Sequence, residues 1–168
     1  NIIVLKQRTR SAARWLIDLL HEFRHVGQEP EKDQLAVIEA GETTQVRRQS
    51  PDEQMATQFA GNVVLAGRAE ELAELCVQAA RGSVERLKAA VPRVAARENV
   101  PTDALANYMA FRLSLQGTNW WGAATNLQAP SPDPWQIARD FLLEQANFEC
   151  LNDIDRSLVL RALSDVEV

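Results

Sequence analysis

Residues 11–27, SAARWLIDLLHEFRHVG, carry the pattern from which the fold of this chain is predicted. The run begins at Ser11, a typical helix N-cap, and it ends at Gly27, a typical residue just past a helix. Between them, apolar residues recur at intervals of three and four, which indicates an amphipathic helix to about Val26. The apolar residues expected to face the core are Leu16, Leu19, Phe23 and Val26.

The same helix carries the motif HEFRH at residues 21–25. Because His21 and His25 are four residues apart, both side chains lie on one helix face and can bind a single ion. Imidazole is a good zinc ligand, and a catalytic zinc takes three protein ligands and a water whose pKa it lowers. Glu22 can accept the proton of that water and pass it to the leaving amine. The motif therefore predicts a catalytic zinc (Zn2+) with Glu22 as base and acid.

Chance is a weak explanation for this spacing, because the chain contains only two histidines. Two histidines placed at random fall four residues apart in about one case in 85, and a glutamate follows the first in about one case in 12. The product is roughly one in a thousand, which favours a functional origin for the motif.

A third zinc ligand has to be an acid, since no histidine remains. Residues 50–53, Ser-Pro-Asp-Glu, predict the start of a second helix, with Ser50 as its cap and Glu53 in its first turn. Glu53 is also the residue that would complete a capping box with Ser50. The sequence leaves both roles of Glu53 open, as a metal ligand or as part of the cap.

One feature favours the ligand role. Ala56 and Ala60 share the helix face of Glu53, and small residues there would let this helix lie close to the histidine helix. Asp52 and Glu39 are the weaker candidates for a third ligand.

The segment DEQMATQFA, residues 52–60, is similar to the E-x-x-A-x-x-F-A segment that follows HExxH in the ImmA/IrrE-type zinc metallopeptidases. In that family the first Glu of the segment is the third ligand, which corresponds to Glu53. The resemblance is specific over residues 21–60, loose over 94–116 and slight beyond. It implies a zincin-like core and an endopeptidase whose substrate is a protein, a helix-turn-helix repressor. Members of the family often carry a helix-turn-helix domain themselves, which would lie upstream of this segment.

The motif departs from the family at Arg24, where the family usually has Gly. A long cation beside a divalent ion favours a second hypothesis, a non-catalytic regulatory or interaction module that keeps the metallopeptidase fold. This hypothesis predicts complex formation with a partner protein but no proteolysis.

The predicted fold class is α+β and mainly helical: a zincin-like core with a small amino-terminal sheet, followed by a helical tail. A strand is expected over residues 2–5, and two more within 34–48. Further helices are expected over 51–65, 69–80, 83–90, 102–115, 135–147 and 153–163. The predicted domains are a metal-binding core at 1–66, a helical subdomain at 67–128, and a linker with a carboxy-terminal helical hairpin at 129–168.

The composition excludes several functions for this segment. A net charge of -5 and a pI near 5.1 provide no basic surface for direct nucleic-acid or anionic-membrane binding. The sequence has no apolar run of the roughly 20 residues that a membrane helix needs. Cys76 and Cys150 lack metal-ligand spacing and are expected to be reduced thiols of a cytoplasmic protein. Since the chain starts at Asn1, we expect it to be a piece of a longer polypeptide.

Four other side chains have a structural and a functional interpretation. Tyr108 is expected to be packing, with oxyanion stabilisation as the alternative. Asp18, one turn before His21, belongs either to a solvated face or to the second shell of a metal. Trp120 and Trp121 fit core filling at a helix start or an anchor for a partner.

Overall fold

A computed structural model describes Ile3, Leu5 and residues 9–28 and 50–164 of the chain. Every regular element among these residues is helical. The α-helices, in chain order, are α1 Ala12–Gln28, α2 Pro51–Val64, α3 Ala69–Ala79, α4 Val84–Glu98, α5 Thr102–Leu115, α6 Trp121–Thr125, α7 Pro134–Gln145 and α8 Asp153–Leu163. A short 3-10 helix, Phe148–Cys150, lies between α7 and α8.

The predicted α+β fold class, a zincin-like core with an amino-terminal sheet, is wrong. The described part of the chain contains no strand and no sheet. Ile3 and Leu5 belong to no regular element, and the strands expected within 34–48 lie outside the described residues. The physical reason is that β-branched residues favour a strand only where a second strand completes the hydrogen-bond ladder.

The starts predicted for α1, α2, α7 and α8 are confirmed by capping bonds. The Ser11 hydroxyl accepts a hydrogen bond from the Arg14 N–H at 3.1 Å, and the Ser50 hydroxyl accepts one from the Glu53 N–H at 3.3 Å. The starts of α7 and α8 are capped in the same way by Asp133 and Asn152. These bonds satisfy N–H groups that have no partner within the helix, so a few neighbouring residues determine where each helix begins.

Helix α1 includes Gly27 and ends at Gln28 rather than near Val26, and two later elements differ further from the expectation. Helix α4 continues past Ala90 to Glu98, with Pro92 inside it. Proline removes a helix hydrogen bond, but this part of α4 buries Val91 and Val94, and each such side chain contributes roughly 1.5–3 kcal/mol. The burial offsets the cost of the proline. Helix α6 was not predicted because five residues are too few to show a helical period.

Helix α5 lies at the centre of the fold and packs against α1, α2, α3, α4 and α6. Residues 104–110 of α5 are all buried, so this helix has no solvent face over two turns. Trp120, 4% exposed, packs into the same core immediately before α6, which confirms core filling at a helix start.

Helix α1 packs against α2 and α5 through a face other than the expected one. Ile17 is buried, whereas Leu16 is 44% exposed and Phe23 is 59% exposed. The prediction that these two side chains face the core is therefore wrong. At 100° per residue they lie on the side of α1 opposite His21 and His25, and it is the histidine side that α2 covers.

Candidate metal centre

The pairing of α1 with α2 depends on small residues in α2. Ala56 and Ala60 are fully buried, as the sequence suggested for the Glu53 face. The next residue, Gly61, lies against the ring of Tyr108 on α5, at a place where a Cβ atom would meet the ring at 2.3 Å. Because α2 is held against both α1 and α5, its first turn is placed beside the histidines.

Three side chains from these two helices meet with their polar atoms together. His21 Nε2 lies 3.0 Å from Glu53 Oε2 and 3.1 Å from His25 Nε2. His25 Nε2 lies 3.6 Å from Glu53 Oε1. The three side chains are 14–17% exposed, so they are shielded from bulk water without being sealed from it. The group could hold a metal ion.

The separations match the chemistry of a tetrahedral metal site. With metal–nitrogen and metal–oxygen distances of about 2.05 Å and tetrahedral angles, neighbouring ligand atoms lie about 3.3 Å apart. His21 Nε2 lies near that distance from Glu53 Oε2, at 3.0 Å, and from His25 Nε2, at 3.1 Å, while His25 Nε2 lies 3.6 Å from the other carboxylate oxygen, Oε1. Two imidazoles and one carboxylate also suit zinc and its transition-metal neighbours, whereas calcium and magnesium prefer oxygen ligands.

The close approach of the three groups is compatible with a cation between them. Imidazole Nε2 atoms and carboxylate oxygens are hydrogen-bond acceptors when they carry no proton, and acceptors repel one another at 3 Å. A proton on His21 Nε2 would serve the contact with Glu53 Oε2 but would leave that nitrogen without a lone pair to accept from His25. A metal ion between the three side chains would offer each of them a positive partner.

Glu53 contacts the helix cap and the histidines through two different chemical groups. Its backbone N–H donates to the Ser50 hydroxyl, so Glu53 takes part in the cap through its main chain. Its carboxylate contacts the two imidazoles. Asp52, the neighbouring candidate, is exposed and is not among the grouped residues, and Glu39 lies outside the described residues.

Glu22 and Arg24 lie on either side of the ligand pair. On a helix of 100° per residue, each is about 80° from the mean direction of His21 and His25. Both are half-buried, and within the part of the chain that the structure describes no hydrogen bond or ion pair engages the Glu22 carboxylate. Glu22 therefore lies at the edge of the candidate site without being one of its three grouped donors.

Asp18 and Tyr108 have partners away from this group. The Asp18 carboxylate pairs with Arg14 Nε at 3.0 Å, and burial raises its pKa above the ordinary value although Arg14 opposes that shift. The Tyr108 hydroxyl donates to the Glu70 carboxylate, and its ring packs two turns of α2 beyond Glu53. Packing is therefore the interpretation of Tyr108 that holds, and Asp18, whose main partner is Arg14, also lies close enough to His21 for a charge interaction.

Thr57 is a neighbour of the site that the sequence reasoning missed. Its Oγ1 lies 3.0 Å from His21 Nδ1, the ring nitrogen that faces away from Glu53. Thr57 follows Glu53 by one helical turn, so its position on the same face was a signal available in the sequence.

Among the described residues, no helix has both the length and the apolar character needed to cross a bilayer. Comparisons with protein-family models, with curated proteins and with solved structures each found no match. What the three grouped residues bind is therefore inferred from their own geometry and chemistry.

Proposed function

We propose that this chain is a zinc-dependent endopeptidase whose metal is held by His21, His25 and Glu53. The observation that carries the proposal is the convergence of two imidazoles and one carboxylate at 3.0–3.6 Å, with Glu22 next in sequence to the first histidine. Zinc bound there would act as a Lewis acid that polarises a carbonyl group and lowers the pKa of water. Three protein ligands leave a fourth position for water or substrate, as in catalytic rather than structural sites.

Glu22 is the residue that we assign to proton transfer. Peptide hydrolysis adds one water across the C–N bond: the water oxygen bonds to the carbonyl carbon, the C–N bond breaks, and the proton lost by the water ends on the departing amine nitrogen. We assign to Glu22 the transfer of that proton, from the attacking water to the amine. Its carboxylate is suited to this task because no ion pair with a described residue holds it in place.

The resemblance of residues 21–60 to the ImmA/IrrE-type peptidases suggests the substrate class, a protein such as a helix-turn-helix repressor. A cytoplasmic location follows from that substrate, and it agrees with two cysteines that form no disulfide. The proposal concerns the chemistry of the site and does not require the zincin-like sheet, which the described residues lack.

The proposal is tested by metal analysis together with two conservative variants. Wild-type protein purified with zinc should retain close to one zinc per chain by mass spectrometry and cleave a helix-turn-helix repressor in a gel assay. Glu53→Gln should lose the zinc and the cleavage. Glu22→Gln should keep the zinc but lose cleavage, because proton transfer typically contributes about 10²–10⁴-fold to the rate.

Glu71→Gln is the matched control, because Glu71 is an exposed helical acid far from the histidines in sequence. It should leave both zinc content and cleavage unchanged. A wild-type protein that binds no zinc would disprove the proposal. Zinc binding without cleavage of any repressor tested would support the non-catalytic module instead.

A further inference from the structure

We propose that Thr57 is a positioning residue that orients His21 as a metal ligand; this inference rests on the proposed metal site. Thr57 belongs to α2, whereas His21 belongs to α1, so their contact crosses the interface of the two helices that supply the ligands. The Thr57 Oγ1 to His21 Nδ1 distance of 3.0 Å is that of a good hydrogen bond.

The direction of this hydrogen bond follows from a second contact of the same hydroxyl. Thr57 Oγ1 donates its proton to the backbone carbonyl of Glu53, one turn earlier, at 3.0 Å. A hydroxyl has one proton and two acceptor lone pairs. With its proton used on Glu53, the Thr57 oxygen is left to accept from His21, and Nδ1 is then the protonated nitrogen.

Protonation at Nδ1 determines what His21 offers to the metal. A neutral imidazole carries one proton, so Nε2 keeps its lone pair, and Nε2 is the atom that lies 3.0 Å from Glu53 and 3.1 Å from His25. The Thr57 hydroxyl therefore selects the ligand tautomer and holds the ring plane toward the site. Hydrogen bonds of this kind to the second nitrogen of a ligand histidine typically contribute 10–100-fold to metal affinity.

The experiment measures Zn2+ affinity by competition with a chromophoric chelator. Thr57→Val keeps the β-branched shape but removes the hydroxyl, and we expect its Kd for Zn2+ to rise about 10–100-fold. Thr57→Ser restores the hydroxyl and should remain within about 3-fold of wild type, less than the change typical of a lost second-shell bond. Thr125→Val is the matched control, because Thr125 makes the same bond to a carbonyl one turn earlier, Trp121 O at 3.0 Å, with no histidine beside it.

The ring itself provides a second readout that needs no variant. In proton NMR spectra of the Zn2+-loaded wild type, the His21 Nδ1 proton should be resolved and should exchange slowly with water, because the Thr57 oxygen accepts it. A rapidly exchanging His21 Nδ1 proton would overturn the proposal even if Thr57→Val failed to fold.

The outcomes separate this inference from the proposed function. Wild-type protein that binds no Zn2+ overturns both. Wild-type protein that binds Zn2+, together with Thr57→Val of equal affinity, overturns the role of Thr57 and leaves the metal site intact. Equal weakening in Thr57→Val and Thr57→Ser would also overturn it, since the hydroxyl would then not be the cause.

Discussion

Replacing Gly61 with alanine should destabilise the protein, although alanine is the better helix former. The new Cβ would lie 2.3 Å from Tyr108 Cδ2 and 2.4 Å from Cε2, so ring and helix would have to separate by about 1.1 Å to restore an ordinary 3.4 Å contact. Tyr108 is 2% exposed, and its hydroxyl is bonded to Glu70, so the ring has little room to yield.

The expected change in the free energy of unfolding is the sum of two costs and one gain. Overpacking a core of this kind costs about 1–3 kcal/mol. Weakening the hydrogen bond to Glu70 adds about 1 kcal/mol, and the gain in helix propensity returns about 1 kcal/mol. We therefore expect Gly61→Ala to lower the free energy of unfolding by about 1–3 kcal/mol, and to lower the Tm by roughly 2–4 °C for each kcal/mol.

Urea denaturation followed by circular dichroism measures this change. Gly122→Ala is the matched control, because Gly122 is a helical glycine with nothing within 4 Å of its Cβ position, and this variant should be unchanged or slightly more stable. Shortening the side chain at 108 with Tyr108→Leu should reduce the cost of Gly61→Ala. A Gly61→Ala variant as stable as wild type would contradict the close packing of α2 on α5 that the structure describes.

Two further predictions concern titratable groups. The Cys76 thiol is fully buried, which raises its pKa to about 11, whereas Cys150 is exposed. A disulfide reagent at pH 8 should therefore modify one thiol in the native protein and two after unfolding. Two fast-reacting native thiols would contradict this. Hydrogen bonds from Arg68 hold the pKa values of Glu71 and Glu98 below their ordinary 4.5, so Arg68→Ala should raise both pKa values in a carboxyl NMR titration. Because the pKa values of Glu71 and Glu98 are lower in the folded than in the unfolded chain, their bonds to Arg68 stabilise the fold above pH 4.5. That stabilisation is lost as the pH falls through the folded pKa values, and the loss should be smaller in Arg68→Ala.

The features that could be predicted from the sequence are those that neighbouring residues determine. Ser11 and Ser50 cap helices by bonding to N–H groups three residues away, and these starts were predicted correctly. The pairing of His21 with His25 likewise depends only on the helical repeat. The end of α4 was predicted wrongly, because the burial that carries the helix past Pro92 comes from residues far away in the chain.

Which face of α1 turns inward was decided by packing. The hydrophobic pattern predicted burial of Leu16 and Phe23, yet both are exposed, because α2, with its fully buried Ala56 and Ala60, packs on the histidine side of α1 instead. Through the same contact the Glu53 carboxylate lies against the imidazoles, while its backbone N–H donates to the Ser50 cap. It also brought Thr57 to His21 Nδ1 across 36 residues of chain.

The sequence by itself determined the helix starts and the spacing of the histidines, because capping bonds and the i,i+4 repeat act within a single turn. The sequence also named Glu53 as the third member of the group, but only the tertiary structure placed it beside the histidines, added its hydroxyl neighbour Thr57 and left the described residues without a sheet. Those features depend on contacts between α1, α2 and α5, which form only when helices distant in sequence pack together.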